Sequence, residues 1–404
     1  MLHQAYQPQA VRQTFGVLTR MNTSQTRRRD TLQSGAADPV RAEADGVPVA
    51  QPLMPPLSAI APYIAQIDAR RWYTNFGPLL QALEARLAMR FAAPATVVTA
   101  ANGTQVLTLA LQAMNLPAGA LCALPAWTFV ATAHAVLAAG LVPWFVDVDP
   151  GSGALDPAHL LRRLAAAPRA VAAVIPVAQF GRPFDFAPWL DFQAETGLPV
   201  LVDAAASFDT LDRAPLPTMI SLHATKLVST GEGGLLISED GDLVARVRKM
   251  TNFGFWGSRE AQVTGGNFKL SEYAAAVGLA SLDEWPVRRR AFAQAAQLLR
   301  AGLVGAPWVR FQPGWGVDWV SSTCCVRIEG RRAAEVEQRL ADLGVSTRRW
   351  WGDGCHVQPA FRHLPADPLP ATESLARETL GLPYFSDLSM DDINRICAAV
   401  LSVN

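Results

Sequence analysis

Lysine is scarce in this chain: Lys226, Lys249 and Lys269 are the only three among 35 basic residues. Neither sign of charge is in excess, since 35 Lys and Arg balance 35 Asp and Glu. A chain with no basic field does not draw in a phosphate backbone, which argues against nucleic acid as a partner. The five cysteines, Cys122, Cys324, Cys325, Cys355 and Cys397, are odd in number and form no Cys-x-x-Cys pair. They are expected to be reduced and buried in a cytoplasmic protein, with neither a disulfide frame nor a metal site. Charge is missing altogether from Phe91 to Val146. Within that run Thr128 to Val146 approaches the length needed to cross a bilayer. Asn102-Gly103, Pro117, Gly119, Pro125, Gly140 and Pro143 cut it into strand-length or helix-length pieces, however, and parallel strands buried on both faces also read as apolar runs. No membrane partner is expected, and no secretory apolar segment follows the N-terminus.

Half of the 404 residues are hydrophobic and 17% are charged, enough for a large core and two domains. Residues 1–47 differ: they are rich in Gln, Arg, Thr and Ala, carry Arg27-Arg28-Arg29, and show no periodicity, so they are expected to be a disordered extension. The stretch resembles a transit segment or an over-extended start, with Met21 downstream. From Pro78 onward helices and strands alternate. Helices are expected over 78–91, 104–114, 128–139, 157–165 and 184–196. Strands are expected over 96–99, 120–124, 142–146, 171–177 and 199–203. That alternation implies right-handed crossovers and a mostly parallel sheet, an α/β core. Strands at 219–223 and 234–237 and helices at 240–250, 271–282 and 287–303 complete a large domain over 48–304. A strand at 320–328, a helix at 333–343, a strand near 345–349 and a last helix from Met390 form a smaller α+β domain over 305–404.

Several residues stand where chemistry needs them. Lys226 follows a short strand and precedes the turn Gly231-Glu232-Gly233-Gly234, so its amine can be presented to a cofactor aldehyde, as when pyridoxal phosphate is held as a Schiff base. Asn102-Gly103-Thr104 joins a strand end to a helix start, where free amides favour an anion. Asp203 closes a buried strand and needs a cation; a pyridinium nitrogen would serve. Trp127, on the loop after the second strand, could stack on a planar ring. Each has a plainer reading taken alone: a loop lysine, a helix cap, a core aromatic, and for His223, three residues before the lysine, a structural histidine.

Taken in order, these pieces resemble the DegT/DnrJ/EryC1/StrS family of sugar aminotransferases, which are fold type I, pyridoxal-phosphate-dependent (PLP) enzymes. The likeness runs from about Pro48 to the C-terminus. It rests on Asn102-Gly103-Thr104, Pro125-Ala126-Trp127-Thr128-Phe129-Val130-Ala131-Thr132, the strand-end Asp203, and Ser221-Leu222-His223-Ala224-Thr225-Lys226 followed by Gly-Glu-Gly-Gly. It continues through Tyr73 to Pro78, Phe145 to Pro150, Thr251 to Gly254, Ser271 to Leu279, Ser346-Thr347-Arg348, His356 to Ala360, and Leu382-Pro383.

The resemblance implies a central sheet sandwiched by helices, with Lys226 as Schiff-base lysine and proton carrier. It implies that Asp203 pairs with the pyridinium nitrogen and Trp127 lies against the ring, with His223 in the cofactor-binding set. Gly103, Thr104 and Ser221 would hold the phosphate, and Asn252 would reach the phosphate of the neighbouring subunit in a homodimer with shared sites. The implied partners are an amino donor, glutamate or glutamine, and a keto acceptor, a nucleotide-linked keto-sugar of polysaccharide or secondary-metabolite synthesis. Two departures stand out. Ala206 replaces a polar residue expected near the ring hydroxyl, and Asn267-Phe268-Lys269 replaces an aromatic-arginine pair. Lys269, Arg348 and His356 are the candidate substrate contacts. A lysine, where dehydrating relatives have histidine, implies amino transfer. A PLP enzyme acting on another amine, or a PLP-binding regulator without turnover, remains open.

Overall fold

The computed structural model describes residues 46–91 and 96–403. The disorder expected over 1–47 lies outside these residues except at its end. There Val47 is already tied to the fold: its N–H donates to Gly344 O, and its carbonyl accepts from Ser346 N, both at 2.9 Å.

The central strands are β1 (Thr96–Ala100), β2 (Leu121–Pro125), β3 (Val142–Val146), β4 (Val171–Val174), β5 (Val202–Asp203), β6 (Thr218–Ser221) and β7 (Gly234–Ser238). They pair in the orders β1-β7-β6-β5 and β3-β2-β4. Parallel bridges Val174–Val200 and Val177–Asp203 join β4 to β5, so the two groups make one sheet. Only β7 runs against its neighbours, β1 and β6. The mostly parallel sheet is therefore present, with every other strand ending on the same edge.

Side-chain alternation sends neighbouring residues to opposite faces of the sheet. Leu121 and Ala123 of β2 belong to one core cluster, Cys122 and Leu124 to the other; Leu235 and Ile237 of β7 likewise part from Leu236. The helices α1 (Leu57–Arg70), α2 (Pro78–Arg90), α3 (Gly103–Ala113), α4 (Val130–Ala138), α5 (Pro157–Arg163), α6 (Ala187–Thr196), α7 (Gly241–Thr251) and α8 (Glu272–Gly302) cover these faces. Residues of α2, α6 and α8 fill the first cluster, and those of α3, α4 and α7 the second. The C-terminal quarter adds β8 (Val309–Phe311), β9 (Cys324–Ile328), α9 (Ala333–Asp342), α10 (Pro370–Glu378), β10 (Thr379–Leu382) and α11 (Met390–Leu401). Its antiparallel sheet has the order β10-β9-β8.

Three expectations are corrected. The two helices expected over 271–282 and 287–303 are one 31-residue helix, α8, with Pro286 inside it. An internal proline costs about 3 kcal/mol through its lost N–H bond. Burial of Trp285 just before it and of Phe292, Ala295, Ala296 and Leu299 beyond it keeps the chain helical. The strand expected near 345–349 is reduced to single bridges, Val345 with Val47 and Arg348 with Gly381. The strand expected from Val320 begins at Cys324, since Ser321 turns its hydroxyl to Phe180 O at 2.5 Å.

Candidate active site

The shared edge of the parallel strands gathers most of the residues singled out. At the end of β1, Asn102 caps α3 by accepting from Gln105 N at 2.8 Å. The amides of Gly103 and Thr104, first and second in α3, have no intrahelical partner and stand at the positive end of the helix. The turn is tight here: a Cβ on Gly103 would lie 2.9 Å from Met219 Sδ and 3.4 Å from Ser221 Cβ, so the methionine side chain would have to shift. Gly234 is equally constrained, because its Cβ would come within 2.6 Å of Gly103 N. Ser221, ending β6, thus stands beside the cradle.

At the end of β5, Asp203 is 6% exposed. Its Oδ2 accepts from Thr132 Oγ1 at 2.8 Å and its Oδ1 from Ala205 N at 3.2 Å. Burial pushes its carboxyl above the usual range, while the Thr132 and Ala205 bonds and the field of Lys226 pull the other way. Lys226 shows the converse: burial pulls its ammonium down, and Asp203 opposes that. A desolvated amine and a desolvated carboxylate therefore sense each other across one site.

The lysine loop is held at its base. Leu222 N donates to Gly233 O at 2.8 Å, Ala224 N to Gly231 O at 2.7 Å and Lys226 N to His223 O at 2.8 Å. His223 Nδ1 lies 3.2 Å from Thr225 N and 2.9 Å from Thr225 Oγ1, and its Nε2 lies 3.5 Å from Glu232 Oε1. With both ring nitrogens engaged, His223 shapes the loop.

Trp127, expected against a cofactor ring, is 3% exposed and packs edge-on to Trp351 at 5.2 Å. Phe180 stacks on the same Trp351 at 4.0 Å. Two residues on, Phe129 is 55% exposed at the N-cap of α4. It lies three residues before Thr132 and so on the same helix face as the hydroxyl that binds Asp203. Phe129 and Thr132, which the sequence reading passed over, join the candidate site. The signal for Thr132 was a hydroxyl recurring at i, i+4 with Thr128 inside an otherwise apolar run.

The remaining candidates lie around this centre. Asn252 bridges Asn267, and Lys269 Nζ donates to Asn267 Oδ1 at 2.8 Å while lying 5.0 Å over Phe253. Burial lowers the Lys269 ammonium. Their segment touches the cradle, because Ala101 N donates to Phe268 O at 2.8 Å. Arg348 is exposed, its guanidinium 5.2 Å over Trp350. His356 follows Cys355, whose N–H donates to Ala126 O at 2.9 Å, and burial lowers its imidazolium against the fields of Glu373 and Asp147. Among the described residues, the hydrogen bonds and ring contacts of Lys269, Arg348 and His356 are made to these neighbours and not to Asp203 or Lys226. Among the described residues there is no cluster able to hold a metal and no helix long and apolar enough to cross a membrane.

Known proteins resemble this chain in sequence and in fold. The model of the DegT/DnrJ/EryC1/StrS aminotransferase family matches residues 58–401. Protein Rv3402c of Mycobacterium tuberculosis is 31% identical over 374 residues, covering 88% of this chain and 89% of that protein. GDP-perosamine synthase of Caulobacter vibrioides is 28% identical over 372 residues, covering 86% and 98%. Among solved structures, DesI in the presence of its TDP-sugar product superimposes with a TM-score of 0.80 at 32% identity, covering 89% of this chain and 93% of that one.

Proposed function

Because the chain belongs to the DegT/DnrJ/EryC1/StrS aminotransferase family and has the fold of its PLP-dependent enzymes, we propose that it moves an amino group from glutamate or glutamine to the keto group of a nucleotide-linked sugar. The observation that carries the reading is the pair Asp203 and Lys226, both desolvated, on the strand edge that also carries the Gly103 cradle. The sugar rests on the relatives: one is a GDP-perosamine synthase, and another was crystallised with a TDP-sugar.

The residues present fit PLP. The α3 amides of Gly103 and Thr104, with the Ser221 hydroxyl, suit a phosphate, and the missing side chain at Gly103 leaves the close approach of Met219 undisturbed. Asp203, a buried carboxylate with no side-chain cation in hydrogen-bond contact among the described residues, suits a pyridinium nitrogen. Phe129 presents the open ring face, and Trp127 backs the wall behind it. When bound, PLP supplies an electrophilic carbon for amines and an electron sink for the carbon that loses a proton.

The chain's own residues do the rest. Burial keeps part of the Lys226 population neutral, and a neutral amine can take a proton from substrate carbon and return it. Asp203 keeps the opposite end of the site negative. Lys269, softened by burial, and Arg348, exposed beside Trp350, are the cations offered to donor carboxylate and nucleotide phosphate. The site is shared between the two subunits of a homodimer, with Asn252 reaching the neighbour's cradle.

The test is transfer of label from 15N-glutamate or 15N-glutamine to a panel of nucleotide-linked keto-sugars and simple keto acids, followed by mass spectrometry. The expected result is a labelled amino-sugar nucleotide, lost in Lys226→Ala. Label passing only to simple keto acids would remove the sugar from the reading, and transfer surviving in Lys226→Ala would remove the lysine.

A further inference from the structure

The carboxylate of Asp203 is held by a short chain of hydroxyls that no part of the reaction above requires. Thr132 Oγ1 donates to Asp203 Oδ2 at 2.8 Å, and Thr128 Oγ1 lies 2.9 Å from Thr132 Oγ1. A hydroxyl has one proton to give. Since Thr132 gives its proton to the carboxylate, the proton between the two threonines comes from Thr128, so the chain runs one way, Thr128 to Thr132 to Asp203. All three are buried: Thr128 is 1% exposed, Thr132 0% and Asp203 6%.

The geometry follows from the start of α4. Thr128 precedes the N-cap Phe129, and Thr132 is the third residue of the helix, so the two hydroxyls stack one turn apart and point at the end of β5. The first turn of α4 carries no acidic residue to compete, and His134 on the same helix faces Phe361, with ring centroids 4.7 Å apart. The charged side chain whose field reaches Asp203 is Lys226, from the loop after β6.

We propose that Thr132, held in place by Thr128, is a positioning residue for Asp203: the hydroxyl chain fixes the orientation of the carboxylate and favours its ionised form. Thr132 touches neither substrate nor cofactor and acts only through Asp203. Without that donor, burial is opposed only by the Ala205 amide and the field of Lys226, and the balance moves toward the neutral acid. Among causes that pull the Asp203 carboxyl down, the Thr132 bond stands first, ahead of the Ala205 amide and Lys226. A neutral acid cannot serve as counter-ion to a pyridinium nitrogen. The inference rests on the PLP reading for its function but not for its chemistry, which is present in the protein alone.

Two measurements on the full-length chain separate the two. In the apo-protein, difference infrared spectra against Asp203→Asn isolate the Asp203 carboxyl, and its titration is followed from about pH 4 to pH 9. The near-isosteric Thr132→Val is expected to move that midpoint upward by about one pH unit, the scale of one lost hydrogen bond to a charge. Thr128→Val should move it less in the same direction, and Thr132→Ser should restore the wild-type midpoint. PLP affinity, read by tryptophan quenching over the same range, should fall about tenfold in Thr132→Val below that variant's own infrared midpoint and approach wild type above it.

An unmoved infrared midpoint in Thr132→Val overturns the proposal, as does an equal loss of PLP affinity at every pH shared by Thr132→Ser, which is the mark of a packing defect. If Thr132→Val does not fold, Thr128→Val and Thr132→Ser decide by the same criteria. Failure of the wild-type chain to bind PLP overturns the functional reading, and the infrared titration still tests the hydroxyl chain.

Discussion

Asp203 shows how a functional carboxylate charges its cost to the fold. Its proton is bound more tightly in the folded chain than in the unfolded one, because burial pushes the carboxyl up. Stability of the apo-protein therefore falls as pH rises from the ordinary carboxyl value, about 3.9, through the folded value, and the loss is complete above it. Asp203→Asn has no charge to lose. The difference in melting temperature, Asp203→Asn minus wild type, should grow more positive as the apo-protein is taken from about pH 4 to pH 7, while PLP affinity near pH 7 drops by about 10- to 100-fold. A flat difference across that range would show that the charge is not strained by burial. Asp203, Lys226 and Gly103 were legible in the sequence because strand ends and glycine turns fix their positions without side-chain packing. The choice between Trp127 and Phe129 was not. The helix expected from Thr128 begins at Val130, and two residues at 100° each turn a side chain to the far side of the helix. Which aromatic is open and which is buried depends on that offset, and so does the alignment of Thr132 with Asp203.

At the scale of elements, α2 is capped by a residue nearly two hundred positions away. Its N-cap is Gly77, which has no side chain, and Glu272 at the start of α8 replaces the missing acceptor: Oε2 takes Leu79 N at 2.9 Å and Oε1 takes Leu80 N at 2.8 Å. Glu272 is 2% exposed, and its own N–H donates to Tyr73 O at 3.0 Å. A Cβ on Gly77 would lie 2.5 Å from Glu272 Cδ, so the glycine leaves room for its own cap. Glu272→Ala strands two buried donors, and about 2–4 kcal/mol of unfolding free energy should be lost in urea titration; Glu272→Gln, keeping one acceptor, should lose about half. Gly77→Ala and Glu272→Ala should be strongly non-additive in the double variant, since each breaks the same contact. Strict additivity would mean that the cap does not hold α2. Long-range devices of this kind explain what the sequence concealed. Helices with a clear apolar period, such as α7 and α11, lay within a residue or two of expectation. α1, with Pro62 inside it, and the unbroken α8 depend on burial against each other and against α2, which no local pattern encodes.

For the whole molecule, the exposed aromatics gather on elements next to the cradle. Tyr73 and Tyr273 stack at 6.3 Å, Phe76 meets Trp256 edge-on at 5.6 Å, and Phe253 lies under Lys269. Tyr73, Tyr273, Phe253 and Trp256 are each between 45% and 48% exposed. An apolar patch of this kind is costly to leave in water and marks an association surface. Asn252 and Lys269 stand in its midst, and that supports a homodimer in which each subunit completes the other's site. The shared-site arrangement makes a quantitative demand. In a dimer of one Lys226→Ala chain and one Asn252→Ala chain, one site carries both lesions and the other carries neither. Each variant alone is expected to be nearly inactive. Mixed after reversible dissociation in equal amounts, half of the dimers are hybrid and half of their sites are intact, so activity should recover to roughly a quarter of wild type. Sites contained within single subunits would give no recovery at any mixing ratio, because every site would then keep its own lesion. Dimer exchange, followed by a mass tag on one variant, shows that hybrids have formed and makes an absence of recovery decisive.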